Sequence, residues 1–153
     1  MKKLLIIVPL LLMISSACNW QGTSSVPKDN YNTQLQIKGK TLLVEIVNTP
    51  AEMEQGLSNR TSMAQNQGML FTFNKPTSPA FWMKDMKFNL DLIWIYKNKI
   101  VAITADVPAP ISINENLPTY SPPSTIDQVL EVNSSWSKQN GIEIGNQIQL
   151  LLP

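Results

Sequence analysis

Residues 34–47 read QLQIKGKTLLVEIV, two runs of alternating character on either side of Lys38-Gly39-Lys40. Successive side chains of a strand point to opposite faces, so this pattern predicts a β-hairpin with the glycine in its turn. Directly downstream, Thr49-Pro50-Ala51-Glu52 combines a capping hydroxyl, a proline at the first helical position and a glutamate placed to return a bond to the cap. The spacing predicts a short helix from Pro50 to about Gln55, ended by Gly56.

Beyond the helix the strand reading continues. Gly68 to Phe73 is a compact apolar run bounded by the loop Asn74 to Pro79, and Phe81–Met86, Leu90–Tyr96 and Ile100–Val107 read as three consecutive strands of a meander. Residues 108–123 hold prolines at 108, 110, 118, 122 and 123, which forbid a central strand and suit a long surface loop. Thr125–Val132 is the next expected strand. Asn133–Asn140 offers a second short helix, and Ile142–Leu150 a last strand with a turn near Gly145-Asn146. Many short strands with two short helices point to a mostly β fold: a compact β-sandwich, jelly-roll-like, or a barrel-like domain.

The start of the chain has a different character. Met1-Lys2-Lys3, the apolar run Leu4–Ile14 and the small residues Ser15-Ser16-Ala17 have the order of a secretory signal peptide over residues 1–17. Such a run is too short for a spanning helix, which needs roughly 20 apolar residues. Cys18, the single cysteine, follows at the place where a bacterial lipobox carries its acylated residue, although Ser15 stands where that box usually has leucine. The expectation is a lipoprotein attached through Cys18, the alternative being plain secretion with the cysteine removed or left as a thiol. Residues 19–32 are polar and rich in turn formers, so 18–32 would be a lipid-anchor cysteine and tether with a reach of roughly 20 Å. The folded part is then a single domain over 33–153, anchored at the outer face of the cytoplasmic membrane, in a periplasm or on the cell surface.

Composition narrows the chemistry. The 153 residues are 43% hydrophobic and 15% charged, with a formal charge of +1, no histidine, one cysteine and one arginine. That inventory excludes a Ser-His-Asp triad, a Cys-His nucleophile, a His/Cys zinc cluster and an intrachain disulfide. Loss of residues 1–17 removes two lysines and no acid, taking the formal charge to −1, so no nucleic-acid partner is expected. No carboxylate spacing resembles a metal loop, and neither a metal nor another cofactor is expected.

Four segments then carry a resemblance. Gly56-Leu57-Ser58-Asn59-Arg60, Gly68-Met69-Leu70-Phe71, Phe81-Trp82-Met83-Lys84-Asp85 with Leu90-Asp91, and Tyr120-Ser121-Pro122 with Val129-Leu130-Glu131 occur in this order. Together they resemble domain of unknown function 192, a bacterial and archaeal family of small, often exported domains, over about residues 41–150. The resemblance implies a compact β-rich fold and no established activity. Ser58, Asp85 and Asn146 depart from the family's usual residues at those places.

The same segments supply the candidate residues. Arg60 offers a planar fork of donors suited to a carboxylate or phosphate, or else it ties its loop to Asp91 or Glu131. Asp91, on the Ile93/Ile95 face of its strand, needs a partner if buried, with Arg60 or Lys84 nearest at hand. Trp82 and Lys84 share a face by period two. With Trp94 opposite they would suit a flat or sugar-like ligand, or simply pack in the core. Tyr120 on the proline-rich loop would flank the groove. A tight connection at 87–89 would also set Asp85 against Asp91, and Glu131 could join them as an acid/base group.

Two functions follow. The first is a non-enzymatic, envelope-tethered binding or interaction module for a small anionic or carbohydrate-like ligand, or for an envelope protein, using Arg60, Trp82, Lys84 and Tyr120. The alternative is a carboxylate-dependent hydrolase of envelope polysaccharide built on Asp91 with Glu131 or Asp85. Whether there is catalysis is left open, with binding favoured.

Overall fold

The structure, a computed structural model, describes residues 30–112 and 116–151. The proposed signal peptide, Cys18 and most of the proposed tether therefore lie outside the described residues, as do 113–115 of the proline-rich loop.

The hairpin forms as its alternation requires: β1 (Thr33–Ile37) pairs antiparallel with β2 (Lys40–Val47), Ile37 facing Lys40 across a two-residue turn. Lys38 and Gly39 both have positive φ, 49° and 73°, the backbone such a tight turn needs. Helix α1 (Pro50–Gln55) carries the predicted capping box, with the Thr49 hydroxyl accepting from the Glu52 amide at 3.3 Å and Glu52 accepting from the Thr49 amide at 3.1 Å. The Thr49 hydroxyl also donates to the Glu52 carboxylate at 2.8 Å, and this bond, followed by those from the Thr49 and Asn48 amides, holds the Glu52 carboxyl below its ordinary pKa. The helix ends at Gly56, whose φ of 46° favours glycine. This crossover returns the chain so that β3 (Gln67–Thr77) runs parallel to β2.

The meander is corrected in part. β4 (Phe81–Trp82) leaves the main sheet and pairs with β7 (Thr119–Tyr120) from the proline-rich loop. β5 (Leu90–Tyr96) and β6 (Lys99–Val107) do form the expected hairpin. β8 (Ile126–Asn133) runs between β3 and β5. α2 is only Trp136–Gln139, without a side-chain cap, and β9 is Ile148–Leu151.

The resulting order, β6-β5-β8-β3-β2-β1-β9, is a seven-stranded sheet that curls until its ends meet at one point, Lys99 bridging Gln147. The fold is mostly β, a half-barrel with two short helices. One core cluster, including Leu35, Val44, Leu70, Ile93, Leu130, Trp136 and Ile148, draws on the strands all round the curl and fills its concave face. A second, including Met69, Phe71, Leu92, Trp94 and Val129, lies on the convex face under Leu57, Met63, Met83 and Met86 from the loops. Central strand β5 is buried on both faces because both are covered.

Candidate functional site

Strand register sorts the candidate carboxylates. Cross-strand partners share a face, and Glu131 is partnered by Met69 on β3 and Leu92 on β5, while Met69 is also partnered by Glu45 on β2. Glu45, Met69, Glu131 and Leu92 thus form one row across the convex face. Asp91 is partnered by Val132 and points to the concave side, so Asp91 and Glu131 project from opposite faces of the sheet.

Asp91 is fully buried and is bonded to backbone. Its carboxyl accepts from the amides of Asp106 at 2.9 Å, Ser135 at 3.0 Å and Ser137 at 3.0 Å. Neither Arg60 nor Lys84 is its partner. The three bonds fasten β5 to the end of β6 and the start of α2. Asp106 accepts in turn from the Ser134 and Ser135 hydroxyls, which hold its carboxyl below the ordinary range.

Arg60 also finds a partner the sequence reading did not name. Its guanidinium donates to Glu45 at 2.8 Å and to the Tyr31 hydroxyl at 3.0 Å, and lies 5.8 Å from that ring's centroid. The signal for this was Glu45 itself, a lone acid inside the apolar TLLVEIV run.

Glu131 is the exception. Only 6% exposed, it forms part of a cavity of about 330 Å³, and among the described residues no donor reaches its carboxyl within hydrogen-bond distance. Burial pushes its pKa up to about 8, against a smaller downward pull from Arg60, so the side chain is mostly uncharged at neutral pH. Phe71 and Leu90 line the cavity beside it, one wall runs from Met53 to Ser58, and the other is made by Pro79–Met83 with Met86. Phe81 is fixed by edge-on contacts with Phe71 at 4.9 Å and Trp94 at 5.6 Å. Phe81, not Trp82, therefore meets Trp94, whose indole N–H donates to Thr104 at 2.9 Å. The walls are stitched together at the rim, where the Ser58 hydroxyl donates to the Lys84 carbonyl and the Asn59 amide to that of Asp85, both at 2.9 Å.

The remaining candidates sit at or beyond this rim. Trp82 is half exposed, with the Lys84 ammonium 5.3 Å from its ring centroid. Lys84 and Asp85 line an outer hollow with Glu54 rather than the cavity. Asp85, at φ 59°, lies in the loop after Lys84 and does not face Asp91. Tyr120 lines a separate cleft of about 80 Å³ with Met83 and Pro118.

The sequence reading missed the apolar lining, Met53, Phe71, Phe81, Met83 and Met86. Its trace was visible: three of the four resembling segments contribute Gly56, Leu57, Phe71, Phe81, Trp82 and Met83 to this one cavity, and the fourth supplies Glu131. Among the described residues no three His, Cys, Asp or Glu side chains gather to hold a metal ion. No helix among them is long and apolar enough to cross a membrane.

Comparison with known proteins agrees with the fold and names no activity for this chain. No curated protein matches it. A solved chain from Sinorhizobium meliloti 1021, described as a proposed transcription regulator, is 28% identical with a TM-score of 0.68, over 78% of this chain and 95% of that one. A protein of unknown function from Novosphingobium aromaticivorans DSM 12444 is 24% identical with a TM-score of 0.71, over 80% and 89%, and shares the fold. A family profile described as uncharacterized ACR matches residues 33–150, and the chain belongs to that family, DUF192.

Proposed function

We propose that the chain is a non-enzymatic binding module, tethered in the cell envelope through Cys18, whose cavity takes a small, largely apolar ligand with one polar group meeting Glu131. The observation that carries this is a carboxyl, only 6% exposed, that no hydrogen-bond donor reaches among the described residues and that opens onto a cavity lined by methionine and aromatic side chains. Buried polar groups are ordinarily bonded, and one left open toward a cavity is a place for a ligand's polar atom. Methionines add adaptability, since the thioether side chain repacks readily around different shapes.

An anionic ligand has less support than the sequence alone offered. Arg60 is engaged with Glu45 and Tyr31, and among the described residues the ionisable side chains lining the cavity are both acids, Glu54 and Glu131. The hydrolase alternative loses its Asp91–Glu131 pair because those residues occupy opposite faces of the sheet. A transcription role like that proposed for the Sinorhizobium chain finds no support in a chain of formal charge +1.

Calorimetric titration of the full chain with benzyldimethylcarbinol, a compact neutral aromatic alcohol, tests the reading. Saturable binding is expected, and Met83→Trp, which fills the cavity, should abolish it. No saturation in the folded parent, or equal binding in a folded Met83→Trp protein, would remove the cavity as a ligand site.

A further inference from the structure

We infer that the ligand of this cavity is a small organic ammonium ion, held between the Glu131 carboxylate and the aromatic faces of Phe71, Phe81 and Trp82. This deepens the proposed function and rests on it. The first support is the sign of the lining: among the described residues its ionisable side chains, Glu54 and Glu131, are both acidic, whereas the nearby cations are placed elsewhere. Arg60 is neutralised by Glu45 at 2.8 Å, and Lys84 lines the outer hollow beside Asp85. The second is surface: aromatic faces attract an ammonium through the ring quadrupole, most strongly where water is excluded, and thioethers accommodate its alkyl body.

The third support is the state of Glu131. Its neighbours in register, Met69 and Leu92, do not titrate; the charges around it are Arg60 from the loop after α1, that residue's partner Glu45 on β2, and Glu54 on α1. Burial keeps the empty site's carboxyl protonated up to about pH 8. A cation entering the cavity favours the ionised form, so the Glu131 O–H bond breaks, the proton passes to solvent and the carboxylate remains paired with the ammonium. A neutral ligand triggers no such release. Affinity for the cation should therefore rise about tenfold per pH unit below 8 and level off above it.

The test sets benzyltrimethylammonium, which does not titrate, against the neutral benzyldimethylcarbinol of similar shape. Both are titrated into the full chain from pH 5.5 to 9 in buffers of different ionisation enthalpy. The expected result is close to one proton released per cation bound near pH 6.5, an affinity that climbs about a hundredfold from pH 5.5 to 7.5, and no such slope for the alcohol. Glu131→Gln, shown to be folded by its melting transition, should abolish the proton release and the slope. If the alcohol binds and the cation does not, or the cation binds with no pH slope, the ammonium assignment is overturned and the cavity reading survives. If neither binds to the folded protein, both fall together.

Discussion

Asp91 and Glu131 lie one residue out of register on adjacent strands, and each is a buried carboxyl, yet one faces the concave core and the other the convex layer. Asp91 accepts three backbone amides and so joins three parts of the chain. Glu131 has no hydrogen-bond donor among the described residues, and its pKa is raised by burial. The contrast separates a carboxylate that holds the fold together from one that the fold buries without such bonds. The concave face is closed by strands and α2, whose amides are available as donors. Around Glu131 the convex face is closed by loop side chains that are mostly methionine and aromatic, and the one guanidinium of that layer is spent on Glu45.

The largest effect should come from removing the first partner in that contrast. Asp91→Ala leaves three amides without their acceptor, that of Ser137 buried and those of Asp106 and Ser135 part-buried, so a loss of up to roughly 6 kcal/mol is expected, a large share of the whole stability of a small domain. Asp91→Asn keeps one oxygen and should lose about half as much, which leaves a folded protein to measure by urea denaturation. A loss below about 1 kcal/mol in Asp91→Asn would mean that water replaces these bonds and that the concave carboxylate is not structural.

Next in size is Glu131→Gln, whose sign is opposite. The folded carboxyl titrates near 8 against an ordinary value of 4.5, so between those values the folded state keeps a proton that the unfolded chain has released. Stability should then be full on the acid side, fall as pH rises from 4.5 to 8, and stay low above. The neutral glutamine lacks this loss, so the variant should match the parent near pH 4 and exceed it at pH 9 by at most about 5 kcal/mol. Melting temperature against pH for the two proteins checks it. Parallel curves would mean that Glu131 is ionised in the folded state and that the contrast with Asp91 is false.

Much of this contrast was within reach of the sequence, and the parts that were not have physical reasons. The β1–β2 hairpin and the α1 capping box depend on neighbours a few residues apart, so alternation and local chemistry suffice to find them. Period two also placed Asp91 with Ile93 and Ile95, and the VLE run drew attention to Glu131. What stayed hidden was pairing across distance. Arg60 meets Glu45 because a parallel crossover lays its loop over β2, and no local pattern shows beside which strand the chain returns. Asp91's partners are backbone amides, which have no residue letter to read. Phe81-Trp82 has strand character, but that character does not reveal that its partner is Thr119-Tyr120 rather than β5.

A smaller effect should follow from packing the concave side. A methyl group on Gly68 would lie 2.9 Å from the Glu131 carbonyl oxygen, 3.1 Å from Leu130 Cδ1 and 3.3 Å from Val132 Cγ1. Because the closest of these is backbone, Gly68→Ala should cost about 1–3 kcal/mol. It acts on the face of Leu70 and Leu130, so the stability–pH slope assigned to Glu131 should persist in the variant. Disappearance of the slope would show that the two faces are coupled through β3.

The smallest effect belongs to the rim. Lys84 is exposed, its side-chain contact is the half-exposed Trp82, and such a cation–π pair at the surface is worth about 0.5–1 kcal/mol before the entropy of holding a lysine in place is subtracted. Lys84→Ala should therefore change stability by less than about 0.5 kcal/mol. It also removes a positive charge from beside the cavity mouth while leaving the Ser58–Lys84 backbone bond, which uses the carbonyl. Benzyltrimethylammonium should bind the variant at least as well as the parent, by a margin that shrinks as salt is added. Weaker binding of the cation, with stability unchanged, would mean that Lys84 itself touches the ligand, and the convex face would then present a cation as well as an acid to whatever enters.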